Sequence, residues 1–161
     1  MDRIRVIARI RPLTSGELPA TRVNPQKTSI QIATVAATKN YRLDCVLDQE
    51  ETQECVFKHV EPMIEENVLQ GINFSLFTYG QTGTGKTHTM LGYDLWSMAQ
   101  EDQANLTTKY PTLSTDEETM GVIPRSMKYL FDRIISEEQE KGSTFRVFVS
   151  YIEVKSYPRL H

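Results

Sequence analysis

Eight residues, Gly80-Gln81-Thr82-Gly83-Thr84-Gly85-Lys86-Thr87, have the types and spacing to hold a chain of phosphates. They fit G-x-x-x-x-G-K-T, with Gly80, Gly85, Lys86 and Thr87 in the defining positions. A triphosphate needs many N–H donors on a concave backbone, and glycines let that backbone approach closely. Lys86 would bring a positive charge to the β- and γ-phosphates, and Thr87 a hydroxyl to Mg²⁺. A helix starting there would turn its positive end toward the anion. The competing reading is a chance glycine-rich turn. The test between them is context: a strand must precede the loop and a helix must follow it.

The neighbouring sequence meets that test. Residues 72–79, INFSLFTY, form an apolar and aromatic run with the character of a buried strand. After the loop, THTMLGY is apolar enough to begin a helix. Upstream, Val56, Phe57, Val60, Ile64, Val68 and Leu69 recur at helical spacing between Thr52 and Gln70. Pro62 breaks that run, so a short helix is expected, then a second with Pro62 near its start. Gly71 closes it. Residues 3–10, RIRVIARI, alternate as a strand ended by Pro12, residues 14–27 read as loop, and 28–34 with 41–47 could pair as a hairpin.

Downstream, residues 93–119 are polar, hold the single tryptophan Trp96, and read as a long surface loop that is either functional or disordered. Residues 122–140 predict a helix, with Ile123, Met127, Leu130, Phe131 and Ile134 on one face, Pro124 early and Gly142 at the end. Residues 144–154, TFRVFVSYIEV, predict a strand. The element order is α/β.

Composition sets further bounds. The 161 residues carry 18 basic and 21 acidic side chains, a net charge of −3, which gives no general case for nucleic acid. No apolar run is long enough to span a bilayer and no secretory leader is evident at Met1. Cys45 and Cys55 make neither a disulfide framework nor a metal set, and read as thiols of a reducing compartment, the cytoplasm by default.

FTYGQTGTGKTHTMLG, residues 77–92, resembles the phosphate loop of kinesin motor domains, where Y-G-Q-T-x-x-G-K-T-x-T-M-x-G recurs. RVIARIRPL (5–13) resembles the family's first strand and its R-x-R-P element, here Arg9, Arg11 and Pro12. Phe57 to Gly71, GVIPRSMKYLF (121–131) and VFVSYIEV resemble further family segments in the same order. The resemblance runs from residue 3 to residue 154 and leaves 155–161, KSYPRLH, as a divergent tail.

That resemblance implies a P-loop NTPase fold, a central mixed sheet flanked by helices. It implies ATP and Mg²⁺ as ligands, held by Gly80, Gln81, Thr82, Gly83, Thr84, Gly85, Lys86 and Thr87, with Thr87 on the metal. It places Arg9, Arg11, Pro12 and His88 near the adenine, the arginines offering flat cationic faces. Without it, the arginines would read as a solvated strand edge and His88 as a packed histidine. It makes 93–119 the insertion that overhangs the nucleotide pocket. It implies microtubules as partner and the cytoskeleton as location, and leaves subfamily, direction and oligomeric state open.

The family's two switch segments, one ending Ser-Arg-His and one reading Asp-Leu-Ala-Gly, do not occur, and no Asp here is followed by Gly three residues later. The expectation is a chain truncated before the switches and the microtubule-facing helices, with no catalytic residue of its own. Strands 3–10 and 72–79 would then show unpaired apolar surface, making the isolated chain poorly soluble or only partly ordered. Three functions stay open: a motor represented by its front half, a nucleotide-binding regulator without turnover, and an unrelated phosphate-loop enzyme such as a nucleotide kinase. The R-x-R-P element and the Y-G-Q-T flank argue against the third.

Overall fold

The computed structural model describes residues 4–92 and 117–152. Most of the expected loop 93–119, with Trp96, and the tail 155–161 lie outside the described residues.

The first strand, β1 (Ile7–Arg9), pairs in parallel with β5 (Cys45–Leu47), in the register Ile7 with Cys45, Ala8 with Val46 and Arg9 with Leu47. Asp44 N–H to the Val6 carbonyl (3.1 Å) and Ile10 N–H to the Leu47 carbonyl (2.9 Å) extend the ladder at both ends. Between these two strands hangs an antiparallel meander of β2 (Thr21–Val23), β3 (Ser29–Ala33) and β4 (Thr38–Arg42).

The hairpin therefore differs from the expected pairing of 28–34 with 41–47. β3 turns back four residues later, where the Thr34 hydroxyl donates to the Ala37 carbonyl at 2.7 Å. Residues 45–47 go instead to β1. β4, TKNYR, is exposed at every position, so ladder bonds hold it and no apolar alternation marks it. β2 likewise lies inside the stretch expected to be loop.

The helices follow the local signals. Thr52 caps α1 (Gln53–Phe57), its hydroxyl accepting from the Cys55 amide. Pro62 sits in the first turn of α2 (Glu61–Glu66), and a 3-10 turn at Val68–Gln70 ends on Gly71. α3 (Lys86–Leu91) follows the glycine loop, and α4 (Val122–Lys141) ends on Gly142. The core gathers Leu47, Val56, Phe57, Val60, Ile64 and Val122, so β5 packs beneath α1, α2 and the start of α4. Val46, fully buried, sits on the opposite face of β5 because strand side chains alternate. Burying it is worth roughly 1.5–3 kcal/mol.

α4 keeps part of the expected face, with Ile134 buried and Leu130 against the core, and departs from it at other positions. Val122 is buried and Tyr129 packs edge-on against Phe57 at 6.0 Å, whereas Ile123 and Phe131 are about two-fifths exposed. The helix carries apolar residues over a wide arc, and the Tyr129 contacts with Phe57 and Glu65 select which part of it faces α1 and α2.

The two other expected strands are not formed. Residues 72–80 and 142–152 have no ladder. Phe77 is 74% exposed and Phe148 87%. The cause is physical: a strand's backbone groups need a partner edge, and among the described residues neither segment is laddered to one. Apolar runs left in water associate. The purified chain is expected to self-associate at micromolar concentration, and replacing Phe77 and Phe148 together by serine should lower its light scattering several-fold. A sharp, cooperative melt of the unaltered monomer would contradict this.

Candidate functional site

The glycine loop is a tight turn built on its own carbonyls. The Thr84 amide and hydroxyl both bond the Gln81 carbonyl, at 3.3 and 2.8 Å. Gly83 and Gly85 stand at φ 82° and 93°, where an L side chain is strained. A Cβ on Gly80 would lie 2.5 Å from the Thr84 hydroxyl, so any larger residue there would have to displace the Thr84 side chain.

Lys86 opens α3 and reaches back across the loop. Its ammonium donates to the carbonyls of Gly80 at 2.9 Å and Gln81 at 2.8 Å. An ammonium has three N–H donors, so one remains for an anion. Helix geometry leaves the first-turn amides of Lys86, Thr87 and His88 without intrahelical acceptors. Thr87 is exposed in this turn, as are Gln81, Thr82, Gly83 and Thr84 on the loop. Among the described residues no three His, Cys, Asp or Glu side chains gather as a metal site. The donor set here is that of a phosphate cradle: backbone amides, one cation and one hydroxyl.

Next to the loop lies a polar cluster drawn from three elements. Arg9 at the end of β1 donates to Gln53 Oε1 at 2.8 Å, to Thr89 Oγ1 at 3.0 Å and to the Glu51 carbonyl at 3.4 Å. Gln53 Nε2 bonds the His88 carbonyl at 2.7 Å and lies 3.3 Å from His88 Nε2. Arg9 and His88 are thus brought together by sharing Gln53. Burial lowers the Arg9 pKa from its ordinary value, yet a guanidinium stays charged.

Arg11 and Pro12 are placed differently. Both are exposed beyond β1, and Arg11 pairs with Glu17, which also accepts from the Thr14 amide at 2.7 Å. Among the described residues no hydrogen bond joins Arg11 or Pro12 to Arg9 or His88.

Sequence reasoning missed Gln53, Thr89 and a crossing of two glycines. Gln53 is 4% exposed, the one buried polar residue among those described. Its signal was available: it lies three and four residues before Val56 and Phe57, on the apolar face of α1. Gly92 and Gly121 pass so closely that Gly121 N–H reaches the Leu91 carbonyl at 3.2 Å, and Gly92 bridges Met120. This ties the end of α3 to the start of α4.

Both described histidines are held below their ordinary value of 6.5, His88 by burial and then Arg9, His59 by burial and then Arg5. A folded-state pKa below the unfolded one means the unfolded chain binds more protons once the pH drops under 6.5. Stability contributed by the two neutral imidazoles is therefore full above pH 6.5 and is lost as the pH falls through their folded-state values. Amide exchange of α1 and α3 should be faster at pH 5.5 than at pH 7.5 after correction for intrinsic rates. Substituting His59 and His88 by glutamine should flatten that difference.

The comparisons bear on the whole chain. The kinesin motor domain profile matches residues 8–157. Kinesin-like protein KIF15-B of Xenopus laevis is 36% identical over 165 residues, covering 95% of this chain and 10% of that protein. The kinesin heavy chain of Syncephalastrum racemosum is 31% identical, covering 95% of this chain and 15% of its own. A solved structure described as "Structure of a fast kinesin: Implications for ATPase mechanism and interactions with microtubules" superposes with a TM-score of 0.64 at 29% identity, over 83% of this chain and 33% of that one. The chain thus spans about a tenth to a seventh of these curated relatives. Its small parallel and antiparallel sheets with flanking helices are an α/β arrangement of that fold, and the chain belongs to the kinesin motor domain family.

Proposed function

We propose that this chain supplies the ATP-binding part of a microtubule-based motor. The observation that carries the reading is the loop Gly80–Thr87, closed on its own carbonyls with the Lys86 ammonium laid across it, in a chain matched almost end to end by a motor-domain profile. The backbone amides and Lys86 would hold the β- and γ-phosphates. The Thr87 hydroxyl would take one position on Mg²⁺, which when bound neutralises phosphate charge. Arg9 and His88 would flank the adenine, with Arg11 and Pro12 at its outer margin. Microtubules would be the track of the complete motor, in the cytoplasm.

The test is titration of the chain with a fluorescent ATP analogue, with and without Mg²⁺. Saturable binding that tightens with Mg²⁺ and is competed by ATP is expected. No binding at millimolar nucleotide would end the proposal.

A second reading concerns turnover. The sequence holds no Asp-x-x-Gly, so no backbone amide of that switch is available to sense the γ-phosphate. The chain by itself would bind nucleotide without hydrolysing it. Microtubule-stimulated phosphate release is expected to equal the blank, and stimulated turnover would overturn this second reading while leaving the first intact.

A further inference from the structure

Gln53 sits where three elements meet, and the chemistry of its neighbours fixes how it must point. A guanidinium has only donors, so the side of the amide facing Arg9, 2.8 Å away, has to be its oxygen. A carbonyl has only lone pairs, so the side facing the His88 carbonyl, 2.7 Å away, has to be the NH₂. Both ends demand the same orientation. The second N–H of that NH₂ then meets His88 Nε2 at 3.3 Å. A ring nitrogen that accepts a hydrogen bond carries no proton, so the neutral imidazole holds its proton on Nδ1.

The amide is thus engaged at its oxygen and at both hydrogens, and it is buried. A satisfied buried polar group of this kind specifies one arrangement, since any rotation leaves a partner bare. On one side it fixes Arg9, which also donates to Thr89 and to the Glu51 carbonyl. On the other it fixes the ring and the backbone of α3 at the residue two after Lys86. The carbonyl of His88 also accepts from the Gly92 amide at 2.9 Å, so Gln53 adds a side-chain bond at a turn already closed.

We propose that Gln53 is the positioning residue for the base side of the nucleotide site, orienting Arg9 and setting His88 in the tautomer that leaves Nδ1–H as its donor toward an adenine nucleotide. This rests on the reading that Arg9 and His88 flank the base. Gln53 is separate from the phosphate cradle: its bonds go to Arg9 and His88, and none goes to Gly80–Thr87.

That separation gives the test. The full chain is titrated with MgATP and with magnesium tripolyphosphate, which has the phosphates and no base. The unaltered protein is expected to prefer ATP. Gln53→Leu should lower ATP affinity at least tenfold and leave tripolyphosphate affinity unchanged, collapsing the preference. Gln53→Glu, nearly isosteric, keeps the acceptor for Arg9 and loses both donors toward His88. It should also weaken ATP selectively, which keeps the test decisive if the leucine variant does not fold.

Nitrogen-15 shifts of the His88 ring provide a readout that mere structural support would not move. The unaltered protein should show the Nδ1–H form and the glutamate variant the Nε2–H form. Equal losses of ATP and tripolyphosphate would make Gln53 a scaffold residue and overturn the proposal, as would an unchanged preference with an unchanged tautomer. An unaltered protein that binds both ligands equally would remove the base site itself, and that is seen before any Gln53 variant is made.

Discussion

Lys86→Ala is expected to weaken ATP binding by roughly 100-fold. Charge-assisted hydrogen bonds are worth about 1.5–3 kcal/mol each, and about 1.4 kcal/mol is tenfold in Kd. The alanine removes both the cation facing the phosphates and the two bonds that brace the loop at Gly80 and Gln81. Tripolyphosphate binding should fall in parallel with ATP, since both ligands present the same anion. Lys86→Arg should not restore it, because a planar fork cannot replace a compact ammonium inside so tight a turn. Lys58→Ala, exposed just after α1 and paired with Glu54, is the matched charge control and should bind ATP normally. Fluorescent-nucleotide titration of the variants measures all of this. A Lys86→Ala chain within threefold of the unaltered affinity would show that the loop is not the phosphate site.

Gly121→Ala should loosen the fold itself. An added Cβ would stand 2.5 Å from the Gly92 nitrogen and 2.6 Å from the carbonyl carbons of Leu91 and Met90. All three are backbone atoms, so no side chain can swing aside. Gly121 has an ordinary φ of −76°, so the effect is purely one of space. Overpacking against rigid neighbours costs about 3 kcal/mol, or about 100-fold faster amide exchange in α3 and the first turns of α4. Gly92→Ala should be worse. Its Cβ would meet the Thr119 carbonyl at 2.2 Å, and its φ of 93° adds backbone strain. Hydrogen exchange followed by mass spectrometry resolves both helices. Unchanged protection in the Gly121→Ala chain would mean the two backbones do not cross at this distance.

The features legible in the sequence are those written locally. Pro62, Gly71, Pro124 and Gly142 mark helix ends because a missing N–H or a left-handed residue acts within one turn. The phosphate loop is legible for the same reason: its glycines and Lys86 interact with atoms no more than six residues away. Features that depend on distant partners were not. INFSLFTY and TFRVFVSYIEV have strand composition, but a strand exists only beside another edge. The face of α4 was legible only in part: Leu130 and Ile134 do turn inward, but Tyr129 joins them through Phe57 and Glu65, more than sixty positions away. β4 was misjudged for the converse reason: its side chains are all exposed, and only its backbone shows where it belongs. Arg9 and His88 were named by resemblance alone. The glutamine between them needed the fold, since 44 and 35 positions separate it from the two.

The crossing of Gly92 and Gly121 also has a topological meaning. It pinches the chain into a closed ring whose two ends are bonded backbone to backbone. Once a ring is closed at its neck, its circumference enters the free energy only as a logarithm. Doubling the number of residues between the two glycines would cost only about 0.6 kcal/mol. The neck ties the end of α3 to the start of α4, and Arg125 and Lys128 of α4 add bonds to Glu117 and Met120 beside it. On chain entropy alone, residues added between the two glycines would therefore cost the α3–α4 crossing little.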